Sequence, residues 1–205
     1  MTSRRPRRVA AVILAAGRST RMGDTNKLLA PLAGRALVRH VAEAALASRA
    51  QGVFAVVGHR RDDVAAALSD LDLTLVDNPA YAEGLATSLI AGYRAAAGDA
   101  DGVLVLLGDQ PLVGSGDLDA MIDAFTNAEA DAIVAASHGG RRGNPVLLPT
   151  VYAAEVLSLT GDVGARDILA AHRDRIRLVK IGPAAVIDVD TPEALDEVRR
   201  TVDRT

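Results

Sequence analysis

The chain has 205 residues, 49% of them hydrophobic and 24% charged, an ordinary balance for a single globular domain with a real core. A formal net charge of −3 and 2% aromatic residues argue against a general nucleic-acid binder, which needs a basic face or stacking platforms. The lack of cysteine excludes disulfides, thiolate metal sites and cysteine catalysis and fits a reducing cytoplasm, and no apolar run reaches the length of a membrane span.

Residues 1–8 are arginine-rich and read as a flexible, solvated basic arm ahead of one domain over 9–205. Ser3 to Arg8 followed by the apolar Val9–Ala16 imitates a secretory leader. That run is short for a leader, however, and cleavage after it would remove the first strand. Val9 to Leu14 reads as a buried strand, and the chain leaves it through Leu14, Ala15, Ala16 and Gly17 towards Arg21, Gly23 and Lys27. A backbone of small residues can approach a polyanion and point N–H groups at it. Arg21 offers a planar fork for phosphate and Lys27 a movable point charge. The spacing matches neither the P-loop nor the dinucleotide fingerprint. The same residues are compatible with a glycine-containing turn and a solvated basic loop.

Further along, 53–57, 73–76, 103–107 and 132–135 are short apolar runs bounded by Gly, Asp or Asn, the pattern of strands buried on both faces. Between them, 36–47, 62–68, 87–97 and 118–128 have helical periodicity, with Ser115 or Asp117 and Thr87 or Ser88 as candidate caps. This alternation predicts an α/β fold, a mostly parallel sheet with helices on both faces. Residues 139–175 break the alternation and read as an insertion or substrate-facing loops. In such sheets ligands bind beyond the carboxyl ends of the strands, which gathers Arg18–Lys27, Asp77-Asn78 and Gly108-Asp109 on one edge.

Asp109, flanked by Gly108 and followed by Gln110 and Pro111, stands just past a core strand and suits a divalent cation such as Mg²⁺. Asp188 and Asp190 project to one side of an extended segment. Asp190 divides evenly between metal binding and helix capping, because Thr191 and Pro192 open a final helix. Arg141 and Arg142 suit either a flexible loop or the capture of a phosphorylated acceptor, and Asp162 with Arg166 either a helix start or acceptor contacts. His40, His59, His138 and His172 show no metal-ligand spacing.

The motifs Leu14-Ala15-Ala16-Gly17, Arg21-Met22-Gly23, Lys27, Gly84–Leu89, Leu107–Pro111, Gly143–Val146, Gly161–Arg166 and Asp188–Pro192, in this order, resemble the MobA-like nucleotidyltransferase family. Within it the chain is most similar to the molybdenum cofactor cytidylyltransferases. The resemblance covers nearly the whole chain and implies a single-domain, three-layer Rossmann-like (GT-A-like) fold. It implies Mg²⁺-dependent transfer of CMP from CTP to a molybdopterin-type acceptor with release of pyrophosphate, in the cytoplasm, with a molybdoenzyme maturation chaperone or an apo-molybdoenzyme as partner. By resemblance, Arg21, Lys27 and Asp109 are catalytic. Leu14, Ala15, Ala16, Gly17, Arg21, Gly23, Lys27, Asp77, Ser88 and Gly108 bind nucleotide, and Asp109 and Asp190 hold the metal. Gln110, Pro111, Asn144, Pro145, Asp162, Gly164 and Arg166 meet the acceptor. Asn144 departs from the family, which often carries His there. Ala16 resembles the cytidylyl branch, the guanylyl branch tending to have glycine. Other readings of the same residues are another phosphorylated acceptor, a GTP donor, or a nucleotide-binding accessory protein.

Overall fold

The structure, a computed structural model, describes residues 5–18 and 26–202. In chain order it contains β1 (Val9–Ala15), a small ribbon of β2 (Pro31–Leu32) and β3 (Arg35–Ala36), and α1 (Leu37–Leu46). Next come β4 (Val53–Val57), α2 (Arg61–Ala67), β5 (Thr74–Asp77), α3 (Leu85–Ala96), β6 (Gly102–Leu107) and α4 (Ser115–Thr126). The chain ends with β7 (Ile133–His138), β8 (Arg141–Pro149), α5 (Ala153–Leu157), α6 (Arg166–Ala171), β9 (Ile176–Lys180) and α7 (Pro192–Val202). Seven strands form one sheet in the order β5-β4-β1-β6-β8-β7-β9. All neighbours are parallel except β8, which is antiparallel to both β6 and β7.

The apolar runs at 9–14, 53–57, 103–107 and 132–135 become inner strands because both faces of the sheet are covered there, whereas 73–76, also expected to be buried on both faces, forms the edge strand β5 and is largely exposed. Every residue of β1 is buried. Alternate side chains divide between two cores. Ile13 and Leu106 pack with Val41 of α1 and Leu118 and Phe125 of α4, while Val12 and Val105 pack with Leu89 and Tyr93 of α3 and Ile168 of α6. Among the described residues no helix is long and apolar enough to cross a membrane.

Three further expectations change. The stretch 139–175 is no insertion: Gly139 and Gly140, at φ +55° and +77°, form a two-residue hairpin turn between His138 and Arg141, and β8 runs back through the middle of the sheet. Two successive positive φ values are what such a turn requires. The polar start of β8, Arg141-Arg142-Gly143-Asn144, disguised it. Residues 5–8 are not a loose arm. Arg7 donates to the carbonyls of Phe125 (2.7 Å) and Ala128 (2.9 Å) at the end of α4 and lies 4.8 Å from the Phe125 ring centroid, and Arg5 pairs with Asp101 at 2.9 Å. A cation at a helix C-terminus satisfies carbonyls the helix leaves unpaired. The caps differ as well. Asp117 sits inside α4 and accepts the Gly114 N–H at 3.0 Å. Neither Thr87 nor Ser88 caps α3. Asp162, from a distant segment, accepts the Leu85 N–H at its start (3.3 Å). Thr191 does cap α7, accepting the Ala194 N–H at 3.2 Å.

Candidate active site

At the carboxyl edge of the parallel strands lies a cleft of about 790 Å³. One wall is the end of β1 (Leu14, Ala16, Gly17) and of β6 (Leu107, Asp109); the other is the start of α3 with Asp162 and Arg166. Lys27, Asp188 and Asp190 close the floor.

Three chain segments meet there for separate local reasons. Lys27 begins a 3-10 turn fixed by the Asn26 side chain, which accepts the Leu28 N–H at 3.0 Å, and by Leu28, which is buried. Asp109 follows β6 after Gly108, whose N–H donates to the Leu14 carbonyl (3.1 Å) and leaves little room for a side chain there. The Asp109 carbonyl accepts the Val189 N–H at 3.0 Å, which lays the return segment Asp188–Asp190 beside β6. Val189 is fully buried, so the alternation of an extended segment turns Asp188 and Asp190 the other way.

Lys27 Nζ donates to Asp109 Oδ2 and to Asp190 Oδ1. Only 14% of the Lys27 side chain and 13% of that of Asp109 remain exposed, so this pair is shielded from solvent. Burial opposes the Lys27 charge, yet its pKa stays above the ordinary lysine value because Asp109 and Asp190 surround the ammonium. Asp188 brings a third carboxylate, and ligand oxygens of Asp109, Asp188 and Asp190 lie within 4.8 Å of one another. Burial and then the charges of Asp109 and Asp190 push the Asp188 carboxyl above its usual range. Asp109 Oδ1 is buried with no hydrogen-bond partner. Three carboxylates against one ammonium leave net negative charge, with Asp109 shielded and Asp188 exposed, and an all-oxygen donor set with an open buried oxygen fits a hard divalent cation.

Of the residues singled out from sequence, Leu14, Ala16, Gly17, Lys27, Ser88, Asp109, Asp162, Arg166 and Asp190 line the cleft. Ala15 ends β1 with its side chain buried, and Gly108 lies behind the lining. Asp77 is not in the cleft: it is exposed at the end of an edge strand and pairs with Arg61 at 3.3 Å. Gln110 is 3% exposed and, like Pro111, is outside the lining. Asn144 and Pro145, joined by a cis peptide, lie within β8 and away from the cleft. Gly164 does not line it either; a Cβ there would sit 3.0 Å from Leu85. Arg21 and Gly23 are outside the described residues. Sequence reasoning left Asp188 out of the metal set, although its alternation with Val189 and Asp190 was visible. Arg18, expected on this edge, and Gly84, part of the motif Gly84–Leu89, also line the cleft although neither was given a site role, and Glu83 beside Gly84 was missed.

The MobA-like NTP transferase domain matches residues 11–176 of the chain. The bifunctional protein GlmU of Sinorhizobium medicae is 31% identical over 192 residues, which cover 93% of this chain and 40% of GlmU. The chain thus spans less than half the length of the curated relatives it matches. A solved nucleotidyl transferase from Methanothermobacter is 25% identical, with a TM-score of 0.84 over 96% of this chain and 98% of that one. The Rv0371c protein of Mycobacterium tuberculosis, solved in complex with manganese, superposes with a TM-score of 0.80 at 23% identity over 95% of this chain and 99% of its own. That second likeness is one of fold.

Proposed function

The chain belongs to the MobA-like NTP transferase family, and from that membership we propose that it is a metal-dependent nucleotidyltransferase carrying CMP from CTP to a phosphorylated, molybdopterin-type acceptor. The observation that carries this reading is the meeting of Lys27 with Asp109, Asp188 and Asp190 on the floor of a cleft walled by Ala16 and Gly17.

A phosphate oxygen of the acceptor attacks the α-phosphorus of the nucleotide, the bond from that phosphorus to the β-phosphate oxygen breaks, and pyrophosphate departs with the electron pair. A phosphate nucleophile is already ionised at neutral pH and requires no general base, so catalysis consists of positioning and charge neutralisation. A divalent cation, Mg²⁺ in this reading, held by Asp109, Asp188 and Asp190 would offset the charge of the phosphate oxygens. The manganese complex of the mycobacterial neighbour supports a divalent ion in this fold. The backbone of Ala15, Ala16 and Gly17 receives the nucleotide, Arg21 and Lys27 take the β- and γ-phosphates, and Asp162 and Arg166 face the acceptor across the cleft. Gly164 adjoins Leu85 of the lining, whereas Gln110, Pro111, Asn144 and Pro145 lie outside the lining and have no acceptor contact in this reading.

Asp109→Asn keeps the size of the side chain and removes its charge. Turnover with saturating metal falls at least about 100-fold, the scale of a lost electrostatic contact in a transition state, with little change in folding. Near-normal turnover of that variant removes the metal assignment. Ala16 is buried against the cleft, and its Cβ crowds a purine more than a pyrimidine. Pyrophosphate release with a molybdopterin-type acceptor then favours CTP over GTP, by no more than about 1–3 kcal/mol for so small a steric difference. Equal or better use of GTP contradicts the cytidylyl assignment. Turnover on sugar phosphates but not on molybdopterin contradicts the acceptor.

A further inference from the structure

We propose that Lys27 is the resident counter-ion of the carboxylate site, and that an incoming divalent cation displaces its ammonium and so delivers it to the triphosphate. This rests on reading Asp109, Asp188 and Asp190 as metal-binding.

The geometry sets up a competition. Lys27 Nζ is bonded to Asp109 Oδ2 and Asp190 Oδ1, oxygens of the very carboxylates a metal would use. A magnesium ion must approach its oxygens to about 2.0–2.1 Å, closer than any ammonium hydrogen bond, and demands near-ideal octahedral geometry. The two cations cannot both occupy that space, and they repel each other. An approach remains through Asp188, which is exposed and carries no bond from Lys27, towards Asp109 Oδ1, which is buried without a partner. A divalent cation entering there outbids the single positive charge for the remaining oxygens.

The released ammonium has somewhere to go. The backbone at Lys27 is pinned by buried Asn26 and Leu28, so the four-carbon stem swings while its root stays in place. The cleft into which it swings is lined by Gly17 and Arg18, where the phosphates lie in the proposed reaction. A triphosphate that accepts the ammonium then favours metal binding, and metal favours triphosphate, because linkage is reciprocal. A nucleoside monophosphate has no β- or γ-phosphate to receive it and gains nothing from the exchange.

The composition makes the exchange directly observable. Lys27 and Lys180 are the only lysines of the chain. Lys180, exposed at the end of β9, serves as an internal control for amine acylation followed by peptide mass spectrometry. Without metal, Lys27 acylates slowly. Adding Mg²⁺ alone speeds its acylation severalfold while Lys180 is unchanged, and CTP with Mg²⁺, but not CMP with Mg²⁺, protects it again. Manganese affinity, read by electron paramagnetic resonance, rises roughly 5- to 150-fold with CTP in the native protein, the usual span of coupling between sites. In Lys27→Met, manganese binds more tightly without nucleotide and the CTP-dependent gain is lost. Bound manganese with unchanged Lys27 acylation, or Lys27→Met that retains the full coupling, overturns the exchange while leaving the metal site in place. Failure of the native protein to bind manganese at all overturns the metal reading itself, and the exchange with it.

Discussion

Strands β5, β4, β1 and β6 run parallel and are joined by helices, whereas β8, β7 and β9 comprise a hairpin and an edge strand placed beyond them. In the first group every strand ends on the same edge, so the segments after β1 and β6 reach the cleft by topology alone. In the second group the connections are set by backbone contacts between remote segments. Gly143 lies so close to the turn at Pro183–Val186 that a Cβ would fall 1.8 Å from the Ala185 carbonyl oxygen. Soon after that turn the chain delivers Asp188 and Asp190 to the site. The parallel half therefore supplies the wall at the ends of β1 and β6, Lys27 and the start of α3, and the mixed half returns the chain so that Asp188 and Asp190 complete the floor.

Truncations in the two halves separate them most sharply. Leu106, 1% exposed in β6, packs in the core beneath α1 and α4. Leu106→Ala is expected to cost about 2–5 kcal/mol in urea unfolding, the range for a buried leucine. Leu178 in β9 is 53% exposed, and Leu178→Ala stays within about 0.5 kcal/mol. Similar losses for both would mean that the outer edge is as tightly integrated as the centre. A smaller effect comes from the junction within the wall formed by the start of α3 and Asp162. Gly84 has φ +124°, and a Cβ on it would lie 2.3 Å from the Gly161 carbonyl oxygen. Gly84→Ala should destabilise by about 1–3 kcal/mol and also lower turnover, because the start of α3 and its Asp162 cap shift together. Unchanged thermal unfolding of that variant would show that the start of α3 and the Gly161–Asp162 segment are not held together by this close approach.

The smallest effect lies far from both. The Arg39 guanidinium, bonded at 2.5 and 2.7 Å, lowers the Asp70 carboxyl from 3.8 to about 2. A folded-state pKa below the unfolded value contributes stability above pH 4 that is lost as pH falls through about 2. Both groups are at the surface, so Asp70→Asn should shift the native Tm only slightly at pH 7 and not at all near pH 2. A large shift at neutral pH would assign this pair a structural weight its exposure denies.

How much could be read in advance follows the same division. The apolar runs at Val9, Val53 and Gly102 stand out because burial on both faces leaves no polar interruption, whereas the run at Thr74 was legible from its alternation with helices although it forms an exposed edge strand. Strand β8 escaped because its first four residues are polar and only its second half, from Pro145 onward, is buried. The helix α6 and edge strand β9 are short and half-exposed, and periodicity is weak in such pieces. At the site, Lys27, Asp109 and Asp190 were legible as charged residues at the ends of buried segments. Their mutual bonding was not, since nothing local records that Lys27 turns to carboxylates 82 and 163 positions away. Among the nucleotide-side expectations Asp77 erred, where a carboxylate at a strand end found an arginine on the neighbouring helix instead of lining the cleft.

Strand β1 has a practical bearing on how this protein can be handled. It begins near the point where Arg7 fastens the chain to α4 and ends at the cleft, so its seven residues, roughly 3.3 Å apiece, carry the chain from one edge of the sheet to the other. A sensor surface or bead attached ahead of residue 5 therefore holds the molecule by the edge remote from the cleft. Substrates arriving from bulk solution meet an unobstructed mouth, and immobilised protein can be assayed for nucleotide capture in the orientation that the first strand imposes.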